Sequence, residues 1–168
     1  KTFICETNND LIKKIKTFKP DLIFNALHGR FGEDGYIQSI LEKLKIKYTH
    51  SGVISSFLAM NKILSKEIFI KNNILTPKFI KFSFNNNQKI STKLIKKIEQ
   101  RLKFPVVIKP INEGSSVDVY ICTKKNLIKN LKKLKKYTEI VIESYIAGRE
   151  IQVAILGKKK LGAIELKQ

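Results

Sequence analysis

Three short stretches of this chain hold residue types and spacings that could do chemistry. The first is KPINEGSSV, Lys109 to Val117. A predicted strand between two prolines, FPVVIKP (104–110), delivers Lys109 to a loop of one acid, one glycine and two serines. Small residues let a backbone approach a ligand closely. Successive amides and hydroxyls can then wrap phosphate oxygens, and lysine supplies a point charge for phosphate. The G-x-x-x-x-G-K-[ST] pattern is absent, so this is not a Walker loop. The second stretch is HGRFGEDG, His28 to Gly35, which joins one histidine, three glycines and two carboxylates. It follows an apolar run, and open α/β sheets bind ligands beyond the carboxyl ends of their strands. The third is Glu143 on EIVIESYI (139–146), with Glu150 seven residues later. A strand edge can offer backbone groups to an adenine, and a carboxylate can accept from ribose hydroxyls. Each stretch also has a plain alternative. GSS is an ordinary turn, HGRFGEDG a turn with a helix cap at Asp34, and the two glutamates surface acids.

These stretches must be positioned by regular elements. DLIFNAL (21–27) reads as a buried strand. Residues 8–18 before it look helical, with Asn8 or Asn9 as a cap. Ile37, Ile40, Leu41 and Leu44 recur at helical spacing, which completes the strand, loop and helix alternation of a parallel sheet. IKYTH (46–50) reads as a short strand, and Ser51-Gly52 opens one helix containing Phe57, Leu58 and Leu64. After Pro77, KFIKFSF (78–84) alternates as a strand, NNNQ (85–88) is a loop, and Ser91 caps a helix facing inward with Leu94, Ile95, Ile98 and Leu102. Beyond the 113–116 loop, VDVYICT (117–123) is a strand and Leu127, Ile128, Leu131 and Leu134 mark a helix. IQVAILG (151–157) and KLGAIELK (160–167) form a hairpin joined at Lys158-Lys159.

Composition narrows the function classes. The formal net charge is +19, which first suggests nucleic acid. Arginine, the residue favoured for bidentate grips on phosphate and bases, occurs only at Arg30, Arg101 and Arg149. The lysines instead decorate helices such as LIKKIEQRLK, as an AT-rich genome would write a tolerant surface. A basic nucleic-acid-binding module therefore stays a remote alternative. No apolar run is long enough for a membrane-spanning helix, and the N-terminus lacks the sections of a signal peptide. Cys5 and Cys122 have neither disulfide-framework nor zinc-site spacing and read as small apolar fillers in a reducing cytosol.

Taken in order, HGRFGEDG (28–35), Gln38, HSGVISSFLAMNK (50–62), FPVVIKPINEGSSV (104–117) and IESYIAGREIQVAILG (142–157) resemble the D-alanine–D-alanine ligases over nearly the whole chain. The resemblance implies an α/β ATP-grasp fold with part of a preceding Rossmann-like N-terminal domain. Residues 1–50 would be the remainder of that domain. Residues 51–143 would be the central subdomain with the phosphate loop, and 144–168 the start of the C-terminal ATP-grasp domain.

The resemblance also implies roles for single residues. Lys62 and Lys109 would hold ATP phosphates, and Glu113, Gly114, Ser115, Ser116 and Val117 would form the covering loop. Ser115 would orient the catalytic hydrogen-bond network. Glu143, Tyr145 and Ile146 would border adenine, and Glu150 would take the ribose hydroxyls. His28 would sit near the first D-alanine, with Glu33 close by. The implied enzyme is a cytoplasmic homodimer that makes D-alanyl-D-alanine for peptidoglycan from D-alanine and ATP. It would bind neither nucleic acid nor membrane. Its Mg²⁺ or Mn²⁺ ligands, like the remaining catalytic residues, are expected beyond residue 168, with none in this chain. A sister ligase making D-alanyl-D-lactate or D-alanyl-D-serine is the alternative. One departure stands out. The family has glycine after GSSV, whereas this chain has Asp118. A carboxylate beside a triphosphate is unfavourable unless it points away.

Overall fold

A computed structural model of the chain describes residues 4, 10–84 and 90–167. The first helix, α1 (Leu11–Phe18), ends on Lys19, whose left-handed backbone returns its N–H to the Ile15 carbonyl. The caps expected at Asn8 or Asn9, the filler role of Cys5 and the 85–88 loop lie outside the described residues.

The buried strand expected over 21–27 is much shorter. Only β1 (Leu22–Ile23) is laddered, in parallel with β2 (Lys47–Tyr48). Leu22 is 59% and Phe24 75% exposed. Asn25 ends the ladder. Its N–H donates to Thr49 Oγ1 at 3.0 Å, and its buried amide donates to the Gly32 carbonyl at 2.8 Å. The chain is thereby pulled out of strand geometry toward the loop it must support. The helix predicted after that loop forms as α2 (Tyr36–Lys43), which buries Ile37 and Leu41 against Ile15, Ile23 and Leu27.

The single helix expected after Ser51-Gly52 is two, α3 (Val53–Met60) and α4 (Lys62–Lys71). Asn61 breaks them apart with an extended backbone, and its side chain accepts from the Ile63 and Leu64 amides. It is the N-cap of α4, and a cap residue is by nature non-helical.

The strands β3 (Phe79–Ser83), β4 (Val106–Pro110), β5 (Tyr120–Cys122) and β6 (Glu139–Ser144) form one sheet in the order β3-β6-β4-β5, each neighbour antiparallel. Side chains alternate across a strand, so register assigns the two faces. Ile80, Val106, Ile108, Cys122, Ile140 and Ile142 face the main core. There they meet Leu94, Ile98 and Leu102 at α5 (Thr92–Arg101), and Leu127 and Leu131 of α6 (Leu127–Lys133). Ser91 caps α5 as expected, accepting from the Leu94 amide at 3.2 Å. The opposite face carries Phe79, Lys81, Val107, Lys109, Val141 and Glu143. Part of it is covered by Ile63 of α4 together with Ile111.

The strand predicted over 117–123 starts late, because Asp118 has a left-handed backbone (φ 52°) and the Val117 N–H turns back to the Gly114 carbonyl. Extended pairing is excluded there. Similarly, β6 ends at Ser144, before Tyr145 and Ile146. The hairpin forms as β7 (Glu150–Leu156) and β8 (Lys159–Leu166), a separate two-stranded sheet turning at Gly157-Lys158, one residue earlier than expected.

Candidate functional site

Lys109 leaves β4 on the sheet face opposite the main core, and Glu143 occupies the same face of β6, a diagonal neighbour across the ladder. Lys62, the first residue of α4, reaches them from outside the sheet. Its amide and ammonium both donate to the Ile111 carbonyl, and the ammonium also donates to the Glu113 carbonyl. Burial holds the Lys62 ammonium below its ordinary pKa, and the neighbouring Lys109 charge pushes the same way. Two lysines separated by 47 residues thus share one electrostatic neighbourhood beside the loop.

Glu143 is 6% exposed. Its Oε1 is ion-paired with Lys109, and Lys66 of α4 lies 2.8 Å from Oε2, an ion pair without hydrogen-bonding alignment. A buried carboxylate of this kind requires such pairing. Lys66 was not among the residues singled out from sequence. Its only signal is its place one turn after Lys62, which a lysine-rich helix does not make distinctive.

Residues Glu113 to Val117 are exposed between β4 and β5. Ser115 and Ser116 have left-handed backbones, φ 46° and 58°, which fold the segment into a tight turn. Asp118 is held by partners other than Lys62 and Lys109. It accepts from Tyr120 Oη at 2.9 Å and Tyr137 Oη at 2.6 Å, and pairs with Lys136 at 2.7 Å. Hydrogen bonds from Lys136, then Tyr137 and Tyr120, hold its pKa down at about 2. The departure from the family pattern is thus absorbed by three partners that sequence reading missed.

The 28–35 loop has a physical reason for each glycine. Gly29 and Gly35 have φ of 65° and 90°. At Gly32 a Cβ would meet the Leu27 Cβ at 2.3 Å. The Gly32 carbonyl accepts from buried Asn25 and from buried Gln38 (2.7 Å), fixing the loop from both sides. Glu33 gives its carboxylate to the Gly29 N–H at 2.5 Å, and Asp34 accepts from the Phe31 and Tyr36 amides. Both acids therefore brace the loop itself. His28 is exposed and, with Glu33, Gln38, His50 and Ser55, lines a cavity of about 430 Å³. A second cavity, about 580 Å³, is lined by Arg30 and Asp34 from this loop, by Ile111 and Glu113, and by Tyr137. Tyr145 and Ile146 follow β6 directly and are exposed. Glu150 lies in the β7–β8 sheet, apart from the sheet that carries Lys109 and Glu143.

Comparison with known proteins finds relatives over nearly the whole chain. A family model described as the D-ala D-ala ligase C-terminus matches residues 68–168, and one described as its N-terminus matches residues 5–51. A D-alanine–D-alanine ligase of Pelagibacter ubique is 66% identical over 166 residues, covering 99% of this chain and 54% of that protein. The Rickettsia canadensis enzyme is 40% identical over 167 residues, 99% of this chain and 44% of that protein. Among solved structures, the Bacillus anthracis ligase complexed with ATP superposes with a TM-score of 0.79 at 36% identity, covering 95% of this chain and 51% of that one. The chain spans about half the length of the relatives it matches.

Proposed function

This chain belongs to the D-alanine–D-alanine ligase family, and from that premise we propose that its protein joins two D-alanines into D-alanyl-D-alanine, driven by ATP, for peptidoglycan synthesis. The fold is the α/β ATP-grasp class with part of a preceding N-terminal domain. A partition at about residues 50 and 143 is supported by the division of the strands into three sheets, β1–β2, β3–β6–β4–β5 and β7–β8. The reading of a cytoplasmic homodimer rests on the resemblance. Among the described residues no helix is long and apolar enough to cross a membrane.

In the proposed reaction one D-alanine carboxylate attacks the γ-phosphate of ATP, ADP leaves, and an acyl phosphate forms. The amine of the second D-alanine attacks that carbonyl and phosphate departs. The protein's share is positioning and charge stabilisation. Lys62 and Lys109 hold the phosphates, Glu143, Tyr145 and Ile146 border the adenine, and Glu150 takes the ribose hydroxyls. The 113–117 loop covers the phosphates, with Ser115 orienting the hydrogen-bond network, and keeps water from the acyl phosphate. His28 lies toward the first D-alanine, which its exposure beside the 430 Å³ cavity supports. Glu33 contributes there by bracing the loop. Mg²⁺ or Mn²⁺, when bound, would screen the charge of the phosphates; among the described residues no three His, Cys, Asp or Glu side chains gather as a metal-binding group.

The observation that carries this reading is the meeting of Lys62, Lys109 and Glu143, from α4, β4 and β6, beside an exposed glycine-serine loop. The test is Lys109→Ala in the full-length protein. Loss of one charge-assisted contact is worth about 1.5–3 kcal/mol, so the KM for ATP should rise roughly ten- to a hundredfold. The KM for D-alanine should change little, and unaltered ATP kinetics would remove Lys109 from the site.

A further inference from the structure

Lys66 is the one buried lysine among the described residues, and it has no part in the reaction above. It is surrounded by fixed partners. Its ammonium donates to Thr76 Oγ1 at 2.9 Å and to the Pro77 carbonyl at 3.3 Å, and it lies 2.8 Å from Glu143 Oε2. It also sits 5.3 Å from the centre of the Phe79 ring. Of the three donors of a lysine ammonium, two are engaged by hydrogen bonds to Thr76 and Pro77, and its charge faces Glu143. Lys109 is placed differently. Its side chain is 21% accessible against 9% for Lys66, and Glu143 is its ion-pair partner.

We propose that Lys66 is a positioning residue, the permanent counter-ion of Glu143 that frees Lys109 to move onto the phosphates of the nucleotide. This rests on the reading that Lys109 binds ATP. Glu143 is too buried to stand unpaired, since breaking one side of a buried ion pair leaves an uncompensated charge. If Lys109 were its sole cation, every nucleotide that drew Lys109 away would strand the carboxylate, and affinity would fall accordingly. With Lys66 locked in place by Thr76 and Pro77, Glu143 keeps one cation whether or not Lys109 is engaged. The arrangement separates two tasks that sequence alone assigns to indistinguishable lysines: one ammonium holds the carboxylate and another serves the ligand.

The experiment measures inhibition of the full-length enzyme by tripolyphosphate, which probes the phosphate subsite without adenine, alongside ATP kinetics. Lys66→Met should raise both the ATP KM and the tripolyphosphate Ki tenfold or more, with kcat at saturating ATP within about threefold. Adding Glu143→Gln to Lys66→Met removes the charge that captures Lys109, and the tripolyphosphate Ki should return toward its original value. If Lys66 acts only through Glu143, Lys66→Met should change the tripolyphosphate Ki less than about threefold in the Glu143→Gln background, a comparison that stands even if Lys66→Met alone does not fold. A folded Lys66→Met with unchanged Ki, or a Lys66→Met that still weakens binding in the Glu143→Gln background, overturns the proposal. Lys109→Ala serves as the reference. If it too leaves both constants unchanged, the assignment of the phosphate site has failed rather than the role of Lys66.

Discussion

Replacing Gly32 by alanine tests the reasoning about the 28–35 loop most sharply, because space and backbone geometry make opposite rankings there. Gly29 has a left-handed backbone with nothing within 4 Å of a built Cβ, whereas Gly32 is not left-handed but a Cβ would lie 2.3 Å from Leu27 Cβ and 2.8 Å from the Leu27 carbonyl carbon and oxygen. Gly29→Ala should therefore cost only the left-handed penalty, about 1–2 kcal/mol. At Gly32 the clash is with backbone as well as side chain, so the chain itself must shift. Overpacking costs about 1–3 kcal/mol, and more where relief is poor. The shift also disturbs the carbonyl that accepts from Asn25 and Gln38, two bonds worth about 1 kcal/mol each. The expected total is about 3–5 kcal/mol. The assay is native-state hydrogen exchange at the Glu33 and Ile37 amides, which donate to the Gly29 and Phe31 carbonyls. Since about 1.4 kcal/mol is a factor of ten, Gly32→Ala should speed exchange a hundredfold or more, and Gly29→Ala about tenfold. An equal or reversed ranking would refute the claim that close packing on Leu27 dictates this glycine.

Two further changes probe other parts of the molecule. Asp118→Asn should speed amide exchange at Val117 and Val119 at neutral pH, because it weakens the tie to Lys136, Tyr137 and Tyr120. The Asp118 pKa is lowered from 3.8 to about 2, so the tie is complete above the ordinary value and lost as pH falls through the folded one. The parent loop should loosen from about pH 4 toward 2 after correction for intrinsic exchange, while the variant should show no such transition; identical profiles would count against the tether. Ser91→Ala removes the bond to the Leu94 amide and should lower stability in urea by about 1 kcal/mol, and a change under about 0.3 kcal/mol would show that the cap contributes little.

Much of the fold was readable wherever local signals agree. FPVVIKP alternates between prolines, and Ser91 precedes an apolar helical stripe; each formed where expected. Misreadings came from polar residues acting at a distance. Asn25 inside an apolar run gave no local sign that it would bond Gly32 and end β1. Asn61 lies within a helical pattern, yet caps the next helix. The candidate site divides in the same way. Lys109 was visible through its loop, but Lys66 is one lysine among many on a chain of net charge +19. What distinguishes it is burial against Thr76 and Glu143, which only tertiary structure provides. Net charge was a poor guide for the same reason: it counts ammonium groups without saying which are paired.

The two ends of the loop between Ile111 and Asp118 are held by unrelated devices, and this limits what the loop can do. At its start, the Lys62 ammonium grips the Ile111 and Glu113 carbonyls, with Ile111 buried beneath. At its end, Asp118 is tied to Tyr120, Tyr137 and Lys136. Gly114 to Val117, between these anchors, are exposed, and the Val117 N–H bonds within the turn to the Gly114 carbonyl. Rearrangement of those four residues breaks two exposed turn bonds, from the Val117 and Val119 amides to the Gly114 and Ser116 carbonyls, whereas displacement of either anchor disrupts ion pairs or buried contacts. Motion therefore concentrates where Gly114 and the two serines can re-aim their amides. On the proposed function, the same anchors would tie loop position to ligand occupancy. Any anion that draws Lys62 from the Glu113 carbonyl releases the start of the loop and leaves its end fixed, so the segment swings about Asp118 instead of detaching.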